Sequence, residues 1–237
     1  MKIDQITAVI TGATGGIGRS FCQHLIEKGA TIIMVGRDER ALEDFQHELF
    51  IKMRVKPSQV HFYACDLLKN EDRQNLVKHI ENFHYPVNTL INNAGDNEFG
   101  LLENVTDQRM DTIMRLNTLI PMSLSRALIP HFSQQDQAQI INIGSTFGSI
   151  GYPGYSVYCS SKFALRGFSE ALRRELADGV IAVKYLSPRA TQTSLNSANV
   201  LAMNKELNVA MDSTYVVACQ LINLLQGRRH ELFIGWP

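Results

Sequence analysis

The chain has 237 residues, of which 45% are hydrophobic and 19% are charged, so it is long enough to bury a sizeable globular core. Its 23 basic and 23 acidic residues balance, which gives no electrostatic reason to expect a nucleic-acid partner. No apolar run approaches the roughly 18 residues of an ordinary membrane span, and we expect none.

The four cysteines are scattered, with no Cys-x-x-Cys and no neighbouring histidine cluster. Their spacing indicates neither a disulfide framework nor a zinc site, so we expect no metal centre. Unpaired thiols are typical of a reducing compartment, and we expect a cytoplasmic protein. The N-terminal stretch MKIDQITAVITG has no long apolar run, which predicts that no signal peptide is present.

Strand-like and helix-like segments alternate along the chain. Continuous apolar runs, typical of strands buried on both faces, occur at 7–11, 31–35, 60–64, 89–92, 139–143, 180–186 and 231–234. Helical spacing of apolar residues occurs at 16–28, 38–53, 70–83, 106–132, 155–177 and 212–226. This alternation predicts an α/β, doubly wound (Rossmann) fold over residues 1–237 as one domain. We expect a mostly parallel seven-stranded sheet with helices on both faces, in three layers.

The segment TGATGGIG (11–18) follows the first predicted strand and opens the first predicted helix. Gly12, Gly16 and Gly18 would allow a tight turn, close approach of a phosphate and close packing of helix on strand. Backbone N–H groups at the helix start, with Thr14 and Ile17 beside them, would then face a dinucleotide pyrophosphate. The alternative interpretation is a glycine-rich turn with no ligand.

In the segment YCSSKFAL, Tyr158 and Lys162 are four residues apart and lie on the same face of a predicted helix. A phenol beside an ammonium is either accidental packing or an acid whose proton affinity is tuned. The pair by itself does not distinguish the two.

Taken in chain order, the glycine turn, NNAG at 92–95, Asn117, Ser145 and Tyr158-x-x-x-Lys162 resemble the short-chain dehydrogenase/reductase family. The resemblance runs from about residue 7 to residue 193. It implies hydride transfer between a nicotinamide and a carbonyl or secondary alcohol carbon, with Tyr158 exchanging the proton on oxygen. A dinucleotide-sensing protein without catalysis, or isomerase or dehydratase chemistry, are alternatives on the same fold.

The resemblance assigns a role to each member of the catalytic set. Lys162 would lower the pKa of Tyr158 and hold the nicotinamide ribose hydroxyls, and Ser145 would hydrogen-bond the substrate oxygen. Asn117 would anchor a water that passes protons to Lys162. The alternatives are a strand-end cap for Ser145 and a helix-interior kink for Asn117.

Cofactor contacts are implied in the same way. Asn93, Ala94 and Gly95 would line the adenosine ribose, or form a plain strand-end turn. Asp66 would accept a hydrogen bond from the adenine amino group, with Leu67 adding a backbone contact; a helix cap or Asx turn is the alternative for Asp66.

The segment SPRATQT (187–193) resembles the family's stretch that faces the nicotinamide carboxamide, through Pro188, the Thr191 backbone and the Thr193 hydroxyl. Arg189 stands where the family has glycine, which is a departure from the family's pattern.

The end of the second strand bears on the choice of cofactor. The sequence reads MVGRDERAL, with Arg37 where an NAD enzyme would have an acid. Arg37 could bind a 2′-phosphate through its planar fork, while Asp38 would cap the next helix. Gly15 stands where NADP enzymes of the family often have a basic residue, which weakens the case. We expect NADP(H) in preference to NAD(H), with a solvated loop arginine as the alternative.

The substrate is expected to be a small carbonyl or alcohol compound, under a lid formed by residues 194–212. Phe147, Tyr152 and Tyr155 are candidates for the opposite wall. A ketoacyl-carrier substrate is an alternative, but 133–139 offers no basic residue. The apolar residues of this lid are Leu195, Val200, Leu201, Met203 and Leu207.

Because the predicted helices at 106–132 and 155–177 carry more apolar positions than one sheet face needs, we expect a homodimer or homotetramer.

Overall fold

The sheet is known from a computed structural model, which describes residues 1–193, 198–206 and 208–235. Within these ranges its strands are Thr7–Thr11 (β1), Thr31–Gly36 (β2), Val60–Ala64 (β3), Thr89–Asn92 (β4), Ala138–Ile143 (β5), Ile181–Ser187 (β6) and Glu231–Phe233 (β7). They pair in the order β3-β2-β1-β4-β5-β6-β7, and every pair is parallel. The predicted seven-stranded, doubly wound sheet is confirmed.

Helices connect successive strands as crossovers. The α-helices of the described ranges are Gly16–Glu27 (α1), Glu39–Met53 (α2), Asn70–Glu81 (α3), Asp107–Met114 (α4), Ile120–Phe132 (α5), Ser156–Glu175 (α6), Ala198–Glu206 (α7) and Thr214–Gln226 (α8). The segment predicted as one helix over 106–132 is α4 and α5 joined by a π-helical turn, Arg115–Leu119. Helix α7 was not predicted as a helix and lies inside the expected lid.

The core forms two layers of apolar side chains, one on each face of the sheet. Adjacent strand residues point to opposite faces, so Val9 and Ile10 of β1 belong to different layers. Ile10 packs in the layer that contains Phe21 of α1 and Phe45 of α2, whereas Val9 packs in the layer that contains Leu128 of α5. Burial on both faces explains why the strands read as continuous apolar runs.

Strand order reverses between β1 and β4, which are neighbours in the sheet although β2 and β3 intervene in the chain. In open parallel sheets, a crevice forms at the carboxyl ends of the strands at such a reversal. The loops after β1, β4, β5 and β6 therefore converge there. Among the helices that the structure describes, none is long and apolar enough to cross a membrane.

Candidate active site

The glycine turn after β1 allows neighbouring backbone segments to approach each other closely. Gly12 has a positive φ of 65°, and a Cβ there would lie 2.9 Å from Cα of Ala94. A Cβ at Gly18 would lie 2.2 Å from the Gly12 carbonyl oxygen, so only glycine fits. Helix α1 begins at Gly16 with no side-chain cap, which leaves its first N–H groups for a ligand. This cradle fits the pyrophosphate of a dinucleotide.

The loop after β4 holds the glycine turn in place. The Asn93 side-chain amide donates to the carbonyls of Thr11 and Gly12 at 2.9 and 3.1 Å. The backbone N–H groups of Asn93 and Ala94 both donate to Thr11 Oγ1 at 3.0 Å. The Asn93 side chain is therefore occupied in fixing the turn, and the contact with the ribose stays a prediction.

Three of the four predicted catalytic residues border a single cavity of about 560 Å³. Ser145 follows β5, and its Oγ accepts a hydrogen bond from Phe147 N at 3.1 Å. Ser145 therefore also acts as a cap at the end of the strand, which was the alternative role expected for it. Tyr158 and Lys162 project from α6. The Lys162 Nζ atom lies 5.7 Å from the Tyr158 ring centroid and donates to the Ile143 carbonyl at 2.9 Å.

Asn117, the fourth predicted catalytic residue, lies behind the cavity rather than on its wall. It sits in the π-helical turn, is fully buried, and its amide nitrogen donates to the Asp96 carbonyl and to Ser161 Oγ at 2.8 and 2.9 Å. Its Oδ1 accepts from Asp96 N at 2.9 Å. The side chain thus clamps the loop after β4, and such π turns are frequent at functional sites.

Burial is the main cause of the pKa shifts at the site. Burial raises the pKa of the Tyr158 phenol, and the interaction with Ser145 opposes this only in part. Burial lowers the pKa of Lys162 to about 8. Burial sets the direction of both shifts, and the expectation that Lys162 lowers the pKa of Tyr158 stays a prediction.

The cavity is lined by most of the predicted cofactor residues. These are Gly12, Gly16, Ile17, Gly18, Asn93, Ala94, Gly95, Tyr158, Lys162, Pro188, Thr191 and Thr193. Thr14, Arg37, Asp66 and Leu67 lie outside it. Among these, Thr14 faces the end of β2, since a Cβ at Gly36 would lie 3.6 Å from its hydroxyl oxygen.

The acidic residues near the expected adenosine end have local partners. Asp38 caps α2, its Oδ1 accepting from Ala41 N at 3.1 Å, as expected for the alternative in which it does not bind ribose. Arg37 beside it is exposed. Asp66 forms an Asx turn, with Oδ1 accepting from Leu68 N at 3.1 Å. That is the predicted alternative for Asp66, and an adenine contact stays a prediction.

Arg189, which stands where the family has glycine, forms an ion pair that sequence reasoning missed. Its guanidinium donates two hydrogen bonds of 2.8 Å to the Asp212 carboxylate, 23 residues away. The backbone of Asp212 also bonds Ala190 O and Gln192 N, at 2.8 and 3.0 Å. The two ends of the expected lid are thereby joined at the end of β6. No local pattern signals this pair.

A second missed residue is Arg109 of α4. It donates to the carboxylates of Asp96 and Glu98 at 2.8 and 2.6 Å and to the Asn97 carbonyl at 3.0 Å. Together with Asn117, it fixes the loop that follows NNAG. The two carboxylates in that loop indicated that a cation would pair with them, but the sequence did not show that this cation is Arg109 of α4.

The expected lid lies partly outside the described residues. Leu195 and Leu207 fall outside them, as does the side chain of Met203. Within α7, Val200 is buried and packs with Tyr155 and Cys159, whereas Leu201 is 47% exposed. Within the described ranges, no group of three metal-ligating side chains comes together.

Comparison with known proteins decides the family. A family model described as short chain dehydrogenase matches residues 6–204. The chain belongs to the short-chain dehydrogenase family. A relative from Haemophilus influenzae, named 3-oxoacyl-[acyl-carrier-protein] reductase, is 31% identical over 79% of this chain and 75% of its own length. Dehydrogenase/reductase SDR family member 7B of Xenopus laevis is 33% identical over 96% of this chain and 73% of its own.

Solved structures of this family share the fold. A short-chain dehydrogenase from Sphingobium yanoikuyae in complex with NADPH matches with a TM-score of 0.86 at 25% identity, covering 97% of this chain and 88% of its own. A family member from Burkholderia phymatum in complex with NAD has a TM-score of 0.87 at 22% identity, covering 98% and 90%. The protein is an oxidoreductase of the short-chain dehydrogenase type that uses a nicotinamide dinucleotide.

Proposed function

We propose that this short-chain dehydrogenase is an NADPH-dependent carbonyl reductase in which Tyr158 donates the proton. The observation that carries the proposal is the meeting of Ser145, Tyr158 and Lys162 on the wall of one cavity, next to the uncapped start of α1. A proton donor, a hydrogen-bond donor for the developing oxyanion and a dinucleotide cradle are the parts that ketone reduction needs.

When bound, the cofactor supplies a hydride to the carbonyl carbon. Tyr158 transfers its hydroxyl proton to the carbonyl oxygen as the C=O bond becomes a C–O single bond. The raised pKa keeps the phenol protonated near neutral pH, which suits a donor facing an alkoxide. Ser145 Oγ accepts from Phe147 N and its hydroxyl interacts with the Tyr158 phenol, so this hydroxyl would stabilise negative charge on a substrate oxygen placed beside Tyr158.

Lys162 and Asn117 support this proton transfer. The Lys162 ammonium uses one of its three N–H bonds on a backbone carbonyl, which leaves two for the nicotinamide ribose hydroxyls. The Asn117 amide is occupied by the loop after β4 and by Ser161, so a water in the proton path would bind to its backbone carbonyl. The π turn supports this assignment, because it alters the regular pattern of helical hydrogen bonds there.

The preference for NADPH over NADH rests on Arg37. Asp38 is committed to capping α2, and exposed Arg37 has no hydrogen bond or ion pair among the described residues. A guanidinium suits a 2′-phosphate, which only NADPH carries. The related structures were solved one with NADPH and one with NAD, so the proposed preference depends on Arg37 and not on these relatives. Thr14, which faces the end of β2, would contact the same ribose.

Arg37→Ala is expected to weaken NADPH binding roughly 10- to 150-fold while leaving NADH binding nearly unchanged, since a hydrogen bond to a charged partner contributes about 1.5–3 kcal/mol. The loss should shrink in high salt because the site is exposed. Titration of each cofactor by fluorescence measures both affinities. Gly15→Arg should strengthen NADPH binding; a Cβ there meets only the Gly12 carbonyl, at 3.4 Å.

Arg228→Ala is the matched control, because Arg228 is also exposed but precedes β7 at the opposite edge of the sheet. It should change neither affinity. An equal loss of NADH and NADPH affinity in Arg37→Ala would make Arg37 a structural arginine. A wild-type preference for NADH would contradict the assignment outright.

We propose that residues 194–212 form a lid over the substrate. The Arg189–Asp212 ion pair and the backbone bonds of Asp212 join its two ends, and Val200 packs its helix onto Tyr155. The whole chain, in this proposal, is one catalytic domain. The four free cysteines, three of them buried, support a location in the reducing cytoplasm.

A second copy of the chain is the proposed partner. Leu119 and Phe163 are 54% and 45% exposed on the π turn and on α6, two elements that pack against each other, and we propose that their apolar surface is covered by the second copy. Sedimentation at micromolar concentration should show a dimer or tetramer, and Leu119→Glu with Phe163→Glu should dissociate it. Ile51→Glu, at a 67% exposed position of α2, should leave assembly intact. A monomeric wild type would refute this.

The ketoacyl-carrier alternative is favoured by one relative's name, but not by the arginines near α6. Arg173 pairs with Glu231 at 3.5 Å and Arg174 pairs with Glu170 at 2.7 Å. Arg166 donates to a serine and lies 4.9 Å from an aromatic ring centroid. These three cations are engaged within the protein, which leaves little positive charge for an acidic carrier.

The test of the proposed function is loss of NADPH absorbance on addition of ketones, an acetoacetyl thioester, quinones and keto-sugars. Turnover with any ketone identifies a reductase. Binding of NADPH without turnover across the panel would favour the dinucleotide-sensing alternative, and product analysis would reveal isomerase or dehydratase chemistry.

A further inference from the structure

A stacked pair of aromatic rings borders the cavity next to Tyr158. The rings of Phe147 and Tyr152 are 5.1 Å apart between centroids, with an interplanar angle of 21°. Tyr155 lies 5.1 Å from Phe147 on another side. The Tyr158 ring stands nearly perpendicular to Phe147, at 81° and 6.3 Å. The rings of Tyr158, Phe147, Tyr152 and Tyr155 therefore form one continuous aromatic cluster on the cavity lining.

Each charged side chain that lines the described part of the cavity already has a hydrogen-bond partner within the protein. Asp96 is bonded to Arg109 at 2.8 Å, and Arg189 is bonded twice to Asp212. Lys162 is buried and donates to a backbone carbonyl. Because Arg189 is held in an ion pair and Lys162 is assigned to the nicotinamide ribose, an anionic group on the substrate would be buried without a cation of its own, which is costly. The substrate that fits is neutral.

Aromatic and aliphatic side chains make up a large part of the cavity lining. They are Phe147, Ile150, Tyr152, Tyr155, Val200 and Val209. Aromatic rings attract one another in offset-stacked or edge-to-face geometry beyond the gain from burying apolar area. A flat ring gains this attraction against the stacked pair, whereas a saturated ring of similar volume gains only burial.

We infer, on the basis of the reductase activity proposed above, that the substrate is a neutral ketone with an aromatic ring attached to or adjacent to the carbonyl. The ring lies against Phe147 and Tyr152 while the carbonyl oxygen faces Tyr158 and Ser145. Reduction yields the secondary alcohol, with the hydride from NADPH and the proton from Tyr158.

The test compares acetophenone with cyclohexyl methyl ketone, which differ in the aromaticity of one ring. In Phe147→Leu, the ratio of kcat/KM for acetophenone to that for cyclohexyl methyl ketone should fall roughly 2- to 10-fold. Tyr152→Leu should lower it in the same direction. The ratio cancels any shift of Ser145 caused by the substitution, because both ketones react through the same groups.

Phe83→Leu is the matched control, since Phe83 follows α3 and does not line the cavity. It should leave the ratio unchanged. An unchanged ratio in both cavity variants, or wild-type turnover of cyclohexyl methyl ketone or an acetoacetyl thioester without acetophenone, would overturn the substrate class alone. Absence of turnover with every ketone would overturn the reductase proposal as well.

Discussion

Replacing Tyr158 with phenylalanine is expected to lower kcat for ketone reduction by about 100- to 10,000-fold, the usual contribution of a positioned proton donor. The ring keeps its contacts with Phe147 and Tyr155 and loses only the hydroxyl, so the fold should be preserved. Affinity for NADPH should stay nearly unchanged. Steady-state kinetics with saturating NADPH measures the first effect, and cofactor titration measures the second.

Tyr215→Phe provides the comparison, because it removes the same hydroxyl from a tyrosine that is 63% exposed on α8. Its activity should equal that of the wild type. A Tyr158→Phe variant with wild-type kcat would remove Tyr158 from the mechanism, whatever its effect on KM.

Lys162→Met should weaken NADPH binding and move the pH optimum of alcohol oxidation upwards. The ammonium is a donor to the ribose, and loss of a charge-assisted bond weakens binding roughly 10- to 150-fold. Alcohol oxidation needs Tyr158 as the phenolate. Burial already opposes the formation of this phenolate, because it raises the pKa of Tyr158. Below about pH 8, where Lys162 is still an ammonium, removing this cation 5.7 Å from the ring opposes it further.

The pKa of Lys162, lowered to about 8 by burial, sets the sign of the pH dependence. The ammonium is charged below that value and loses its proton as the pH rises through it. Wild-type NADPH affinity should therefore decline above about pH 8, and Lys162→Met should lack this decline. Cofactor titration across pH measures both curves.

Lys184 offers a control with similar burial and a pKa likewise lowered to about 8. Its Nζ donates to the carbonyls of Leu224, Leu225 and Gly227, where it caps the end of α8. Lys184→Met should reduce the free energy of unfolding and leave the pH profile of oxidation in place. If Lys162→Met changes neither NADPH affinity nor the pH profile, Lys162 has only a packing role.

The sequence by itself determined the order and type of most elements, the parallel sheet and the residues that converge at its carboxyl edge. The physical reason is local. Strands buried on both faces must be apolar throughout, and a turn such as that at Gly12 and Gly18 excludes any Cβ. Tyr158 and Lys162 share a helix face at any site, so their proximity follows from spacing.

Only the tertiary structure decided which hydrogen-bond partners the polar side chains have. Asp38 and Asp66 bond to nearby N–H groups rather than standing free, and sequence left both options open. The π turn at Asn117 arises where one side chain must reach the Asp96 backbone and Ser161 together, which helical periodicity does not predict.

Long-range pairing and burial were likewise decided by the fold. The Arg189–Asp212 pair joins positions 23 residues apart, and no sequence pattern around either residue predicts its partner. The shift in the pKa of Tyr158 depends on how much water the surrounding loops and α6 exclude, a property of the assembled cavity. The sequence predicted that Ser145, Tyr158 and Lys162 meet, whereas the protonation state that Tyr158 and Lys162 favour follows from their burial, since hydration of a charge is lost only when the whole fold encloses it.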